Sequence, residues 1–277
     1  MTTGVTTDVT TNVTVKWIVD EMEAWAPTSW AEDFDNVGLL LGDTSQVVKK
    51  ILVALDATES VVQEAISGNY NAIITHHPLT YSPLKRITTC DPIGRKLLLL
   101  ARHGISLYAA HTNLDKATGG VNDCLAEKLG ITNTTPMAKD AINNNIGIGR
   151  IGELSNEMTL GELAGYVKNA LGLKDIRYSG NLSAKIKKIA MCGGSGMSFW
   201  KAARDAKCDV YITGDVKYSD ALGVLDAGLC ILDITHFSGE DVIIEAIVKR
   251  LRKKATECGF KVEIHPTSIN GQIFYTI

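Results

Sequence analysis

The chain has 277 residues, 45% apolar and 21% charged, with a formal charge of −3 and a pI near 6.1, the balance of a globular protein with one large or two medium domains. The charge argues against non-specific nucleic-acid binding as the main role, and no stretch approaches the roughly 18 uninterrupted apolar residues of a membrane span. Six scattered cysteines without a CxxC pair read as reduced thiols of a cytoplasmic chain, not as a disulfide framework or thiolate metal site.

Residues 1–14 are threonine-rich and lack the basic start and apolar run of a signal peptide, so a disordered leader is expected there. Trp17, Ile18, Met22 and Trp25 then recur at helical spacing, and Pro27 closes the helix Val15–Trp25. The acidic stretch that follows leads through Asn36 and Gly38 into the apolar run Leu39–Leu41, read as a loop entering a strand. Lys50–Leu55, Glu59–Ser67 and Ala72–Thr75 form a strand, a helix and a strand, a βαβ unit with parallel pairing. Pro78 ends the third element because proline cannot donate to a ladder, leaving His76 and His77 at a strand terminus, where α/β proteins place their chemistry. Alternation along a strand would point them to opposite faces, so they suit two ligands better than one.

A helix over Ile93–His103 leads to a strand over Ser106–Ala110 that ends in HTNLD, and Gly119–Leu129 is a further helix. Asn143–Asn145 is the best candidate junction between two α/β lobes. Beyond it come the segment Gly147–Leu154 and a helix over Thr159–Leu171, which Thr159 and Glu162 would cap. Ile186–Met191, Val210–Thr213 and Cys230–Ile234 read as strands, with helices over Ser198–Ala206 and Asp220–Ala227. A last helix, Asp241–Glu257, precedes the strand Lys261–His265. Strands alternate with helices throughout, which predicts a layered α/β/α fold.

The chain also resembles itself. At an offset of 138 residues Ile51 meets Ile189, Ala65 meets Ala203, Ile74 meets Ile212 and Thr75 meets Thr213. At the tips, however, His76 and His77 fall on Gly214 and Asp215. Each half has another strand followed by a histidine and, four residues on, a carboxylate: His111 with Asp115 and His236 with Glu240. That spacing keeps both side chains on one face of a strand and nearly so on a helix. An internal duplication is therefore expected, with the strand-end groups meeting in the cleft between the lobes. Imidazole and carboxylate without thiolate suit Zn, Fe, Mn or Ni, and two such ions could share one carboxylate. CGGSGMS, Cys192–Ser198, follows a strand and opens a helix; it reads as a tight turn or, less directly, a phosphate cradle. Lys85, Arg86, Arg150 and Lys217 lie near these motifs and could meet an anionic substrate, Lys85 first among them.

The strings DNVGLLLGD, ITHHPLTYSPLKRIT, AAHTNLDKATGGVND, GIGR, GGSG, YITGDVKYSDA and DITHFSGE together resemble the Nif-three-like proteins, also known as the GTP cyclohydrolase I type 2 family. The likeness runs from about Trp17 to the C-terminus, with Phe34 where the family usually has tryptophan. It implies a dinuclear metal centre held by His76, His77, Asp115, His236 and Glu240, with Glu240 as the bridge and His111 as a proton-transfer or outer partner. It further implies a toroidal homohexamer, a trimer of dimers, built from the shorter form of the chain. The lobes would be 15–130 with 232–277, and 131–231. The activity implied is metal-dependent hydrolysis of a nucleotide or related small molecule, as in opening the imidazole ring of GTP with His111 moving protons. A ring that binds metal and partners without turnover is the alternative. Sequence-specific DNA binding is disfavoured by the charge balance.

Overall fold

The computed structural model describes residues 12–141 and 143–277. In chain order the elements are α1 (Val15–Trp25), β1 (Gly38–Leu41), β2 (Lys50–Ala54), α2 (Glu59–Ser67), β3 (Ala72–Thr75), α3 (Pro92–Arg102), β4 (Ser106–Ala109), α4 (Thr112–Lys116) and α5 (Val121–Lys128). There follow β5 (Thr132–Lys139), β6 (Gly147–Thr159), α6 (Leu160–Ala170), β7 (Arg177–Ser179), β8 (Lys185–Met191), α7 (Trp200–Asp205), β9 (Val210–Thr213), α8 (Tyr218–Asp226), β10 (Cys230–Asp233), α9 (His236–Glu240), α10 (Val242–Glu257) and β11 (Glu263–Pro266).

The strands form two mixed sheets, β1-β4-β3-β2-β11 and β5-β6-β8-β9-β10-β7. In the first, β2, β3, β4 and β11 run parallel and β1 is antiparallel. Alternation along β2 sends Ile51 and Val53 to a core shared with α1 and α10, and Leu52 and Ala54 to one shared with α2 and α3. In the second sheet Ile189 and Met191 face α5 and α6, whereas Ala190 faces the core that includes Ala203 of α7 and Val224 of α8. Both sheets are thus covered on both faces, which is why their parallel strands are apolar runs without alternation.

Helix α10 shows how a local pattern becomes packing energy. Ile243, Ile247, Val248 and Leu251 recur at three- and four-residue steps and are buried in the first core. Truncating Ile247 to Ala would cost about 2–5 kcal/mol. Helices α2, α3 and α6 start on side-chain caps: Thr58, Asp91 and Thr159 accept from the backbone of Val61, Gly94 and Glu162, and Thr159 with Glu162 forms the expected capping box.

Several expectations are corrected. Residues 1–11 of the expected leader lie outside the described residues, but Val13 is buried in the first core and Thr14 bridges Val47, so residues 13 and 14 belong to the fold. The asparagine run is no junction: residues 143–145 lie in the turn of the antiparallel β5–β6 hairpin, where Lys139 pairs with Gly147. Strand β5 escaped notice because it is mostly exposed and polar and contains Pro136, tolerable on the edge strand that it forms. Helices α4 and α9, five residues each, are too short to show a periodicity.

The two sheets share one register. Strand β2 pairs with β3 as Ile51 with Ala72, Leu52 with Ile73 and Val53 with Ile74; β8 pairs with β9 as Ile189 with Val210, Ala190 with Tyr211 and Met191 with Ile212, each partner 138 residues on.

Candidate metal centre

The carboxyl ends of β2, β3 and β4 in one sheet, and of β9 and β10 in the other, lead respectively to Asp56, His76 and His77, His111, Asp215 and His236. The sheets meet there, with His77 Nε2 3.2 Å from His236 Nε2. The alternation argument for His76 and His77 does not apply, because β3 has already ended at Thr75. Both rings turn into one cluster, their centroids 5.0 Å apart.

Glu240 lies at its centre, 3% exposed. Its Oε2 is 2.9 Å from His77 Nε2 and 3.0 Å from His236 Nε2, and its Oε1 is 3.7 Å from His76 Nε2. Asp115 Oδ1 lies 3.6 Å from the same His76 nitrogen. His111 joins His76 and His77, the three offering nitrogens within 4.8 Å of one another; His77, His236 and Glu240 form a second such group. The strand-to-helix turns explain the placement. His111 is the N-cap of α4 and His236 opens α9, so residues four further on return to the same side, one helical turn along.

The far side of every imidazole is already engaged. His76 Nδ1 lies 2.8 Å from Ala110 O, His77 Nδ1 2.9 Å from Asp56, His236 Nδ1 2.8 Å from Asp215 and His111 Nδ1 3.0 Å from Asp35. With Nδ1–H donating outward, each Nε2, once a cation takes the place of its proton, would present a lone pair inward, the tautomer that metal-ligating histidines adopt. Inside, His76 Nε2 and Glu240 Oε2 are buried with no aligned hydrogen-bond partner among the described residues. Buried polar atoms rarely stay unsatisfied. Ligands about 2.1 Å from one ion lie about 3 Å apart at octahedral angles and about 3.4 Å apart at tetrahedral ones, close to the 2.9–3.2 Å spacing among His77, His236 and Glu240. The residues therefore fit divalent cations.

Electrostatics point the same way. Burial alone would lower the His77 pKa, but the Asp56 and Glu240 carboxylates outweigh it and push it up to about 10; Glu240 does the same to His236, up to about 9. Glu240, which burial would make harder to ionise, is held well below the usual carboxylate range by His236, His76 and His77. Asp115 is raised, by burial first and by Glu240 as well. Concentrated negative charge in a dry place attracts protons or cations. Asp35 is also pulled down despite burial, by His111 and Thr112.

Glycines let the second sheet approach. Gly194 has φ +63°, and a Cβ on it would run into Glu240 Oε1. A Cβ on Gly214 would lie 2.6 Å from the backbone of Thr235 and His236. The CGGSG turn thus acts as packing against the site. Its Gly193 and Gly196 amides are spent on Asn122 and Thr213, which weakens the phosphate-cradle reading.

Arg150 is corrected outright as a substrate contact: it is 2% exposed, paired with Asp123, and donates to the carbonyls of Gly147, Gly149 and Ala117. Lys85, Arg86 and Lys217 are exposed. Asp35, Asp56 and Asp215 were missed by sequence reasoning. The available signal was that Asp56 and Asp215 each follow a strand end.

Residues 13–272 match the family described as Duf34/NIF3 (NGG1p interacting factor 3). The chain belongs to the Duf34/NIF3 family. A relative from Clostridium perfringens named GTP cyclohydrolase 1 type 2 homolog is 41% identical over 237 residues, covering 86% of this chain and 90% of its own. One of the same name from Clostridium acetobutylicum is 37% identical, covering 90% and 94%. Among solved structures, a Bacillus cereus protein related to NIF3 superposes with a TM-score of 0.91 at 28% identity, covering 96% of this chain and 99% of that one. The mixed α/β architecture with two sheets is thus that of Duf34/NIF3 proteins. No helix among the described residues is long and apolar enough to cross a membrane, and all six cysteines are unpaired.

Proposed function

We propose that this Duf34/NIF3 chain holds two divalent ions in the cleft between its sheets and hydrolyses a nucleotide or related small molecule. The observation that carries the reading is the buried Glu240, whose two oxygens face histidines from both sheets while those histidines are anchored from behind. His77 and His236 would serve one ion with Glu240 Oε2, His76 and Asp115 the other with Oε1. Zn, Fe, Mn and Ni all suit such nitrogen and oxygen donors. Bound there, the ions would supply Lewis acidity and activate water.

The remaining steps fall to the chain's own groups. Asp35 orients His111 through Nδ1, so its Nε2 is free to take a proton from, or return one to, a substrate in the cleft. Glu240 keeps the two donor sets in register, and the CGGSG turn closes the site from the second sheet. The shared 138-residue register supports a duplication, with lobes 15–130 plus 232–277 and 131–231. A cytoplasmic homohexamer, a trimer of dimers, belongs to the same reading.

The test is a turnover screen of metal-loaded protein against nucleotides, phosphodiesters and cyclic amides, alongside His111→Ala. The reading expects turnover that falls on the order of 10²- to 10⁴-fold in the variant while metal content is kept. Metal retention with no turnover of any substrate would instead favour the non-catalytic ring.

A further inference from the structure

We propose that Asn122 is a positioning residue of the metal centre: its carboxamide ties the backbone of Asp115 to the glycine turn that packs on Glu240, and so fixes how far apart the two carboxylates stand. This deepens the metal reading above and rests on it.

The two carboxylates are held in different ways. Glu240 is gripped directly, with His77 and His236 both within 3.0 Å of Oε2. The Asp115 carboxylate reaches His76 only at 3.6 Å, beyond hydrogen-bond distance, so its place depends on its backbone. That backbone lies in the short helix α4, Thr112–Lys116, whose last carbonyls have no donor within the helix. Asn122 supplies one: its Nδ2 donates to Asp115 O at 3.1 Å.

The other end of the same carboxamide faces the second sheet. The Gly193 N–H, which can only donate, meets Asn122 Oδ1 at 3.0 Å across 71 positions of sequence, and this settles which way round the amide lies. Gly193 and Gly194 press on the hub. A Cβ on Gly193 would lie 2.8 Å from Gly239 O and 3.4 Å from Glu240 Cγ, and one on Gly194 would collide with Glu240 Oε1. Asn122 stands in the first turn of α5, a helix whose Val121 enters the first core while Leu125 and Ala126 enter the second. It is fully buried, so losing either bond would strand a polar group away from water, and the amide is held to one geometry. One side chain thus spans from the Asp115 arm to the turn behind Glu240.

Two substitutions separate the two ends. Asn122→Asp keeps an acceptor for Gly193 and removes the donor to Asp115, whereas Asn122→Leu keeps the volume and removes both. Wild type and variants are loaded with Mn(II) and compared by elemental analysis, chelator competition and electron paramagnetic resonance, in which two ions sharing a carboxylate couple and a lone ion does not. The wild type is expected to hold two coupled ions. Asn122→Asp should weaken the ion beside His76 and Asp115 about 10–100-fold and spare the one beside His77 and His236, so that the coupled signal gives way to that of an isolated ion. Asn122→Leu should weaken both, and circular dichroism should show both metal-free variants folded. Wild-type affinity for both ions in either variant, or loss of both ions from Asn122→Asp, would overturn the proposal. So would failure of both variants to fold, which would make Asn122 a determinant of the fold rather than of the site. Wild-type protein that holds no stoichiometric ion is a separate failure, that of the metal reading itself, and takes this inference with it.

Discussion

The tips of β3 and β9 occupy equivalent places in the two sheets and do opposite jobs. After Thr75 come His76 and His77, whose ring nitrogens point into the cluster; after Thr213 come Gly214 and Asp215, one making room for the backbone of His236 and the other gripping its ring from behind. The strand–helix turns that follow show the same division. In the first sheet's turn Asp115 reaches His76 alone, whereas Glu240, longer by one methylene and more deeply buried, touches histidines from both sheets. The lesson is that equivalent backbones placed the groups, and side-chain length and burial then decided which became the hub.

The largest expected effect tests that asymmetry. Glu240→Ala should abolish binding of both ions, while Asp115→Asn should remove only the ion beside His76; elemental analysis of the purified variants reads the difference. Equal losses in the two would erase the distinction between hub and arm. Next in size is Gly194→Ala, which alters no donor atom. The new Cβ meets Glu240 and the left-handed backbone there costs a non-glycine residue about 1–2 kcal/mol. Metal content should fall with a modest drop in Tm, and full metal occupancy in this variant would show that the turn does not press on the hub.

The carboxylates behind the rings should matter less than the rings. Asp215→Asn and Asp56→Asn are each expected to weaken metal affinity about 10–100-fold with the fold intact, read by competition with a chelator. Affinity unchanged in both would mean that Glu240 alone orients His77 and His236.

These carboxylates also mark the limit of what the sequence discloses. Strand ends were legible at Thr75 and Thr213 because the runs AII and VYI are buried on both faces and stop at Pro or Gly-Asp. The His-plus-carboxylate pairs were legible because four residues span one turn. Asp35 was not, since it meets His111 from 76 positions away, by a loop whose return only the tertiary fold determines. Arg150 was misread for the converse reason: a cation in a glycine-rich stretch near the motifs looks available, and its internal partners come from Asp123 and Ala117, far along the chain. Strand β5 stayed hidden because its pairing with β6, rather than an apolar face, makes it a strand.

The smallest effect lies away from the site. Burial would raise the Glu64 pKa, but Ser268 and Thr267 donate to its carboxylate and lower it, tying α2 to the segment after β11. A carboxylate lowered in the folded state contributes stability that is present above its unfolded value, about 4.5, and lost as pH falls through the folded one. Glu64→Gln should therefore cost at most about 1 kcal/mol near neutral pH, given partial exposure, and nothing at acid pH. A Tm difference from wild type that persists at acid pH would assign the loss to packing instead.

Glu240 should stand between two ions. Anomalous scattering from crystals of the metal-loaded protein measures this directly. Two peaks are expected, roughly 3.5–4 Å apart, one beside His77 and His236 and the other beside His76 and Asp115, with the Glu240 carboxylate between them; a single peak, or peaks remote from Glu240, would rule out a shared carboxylate.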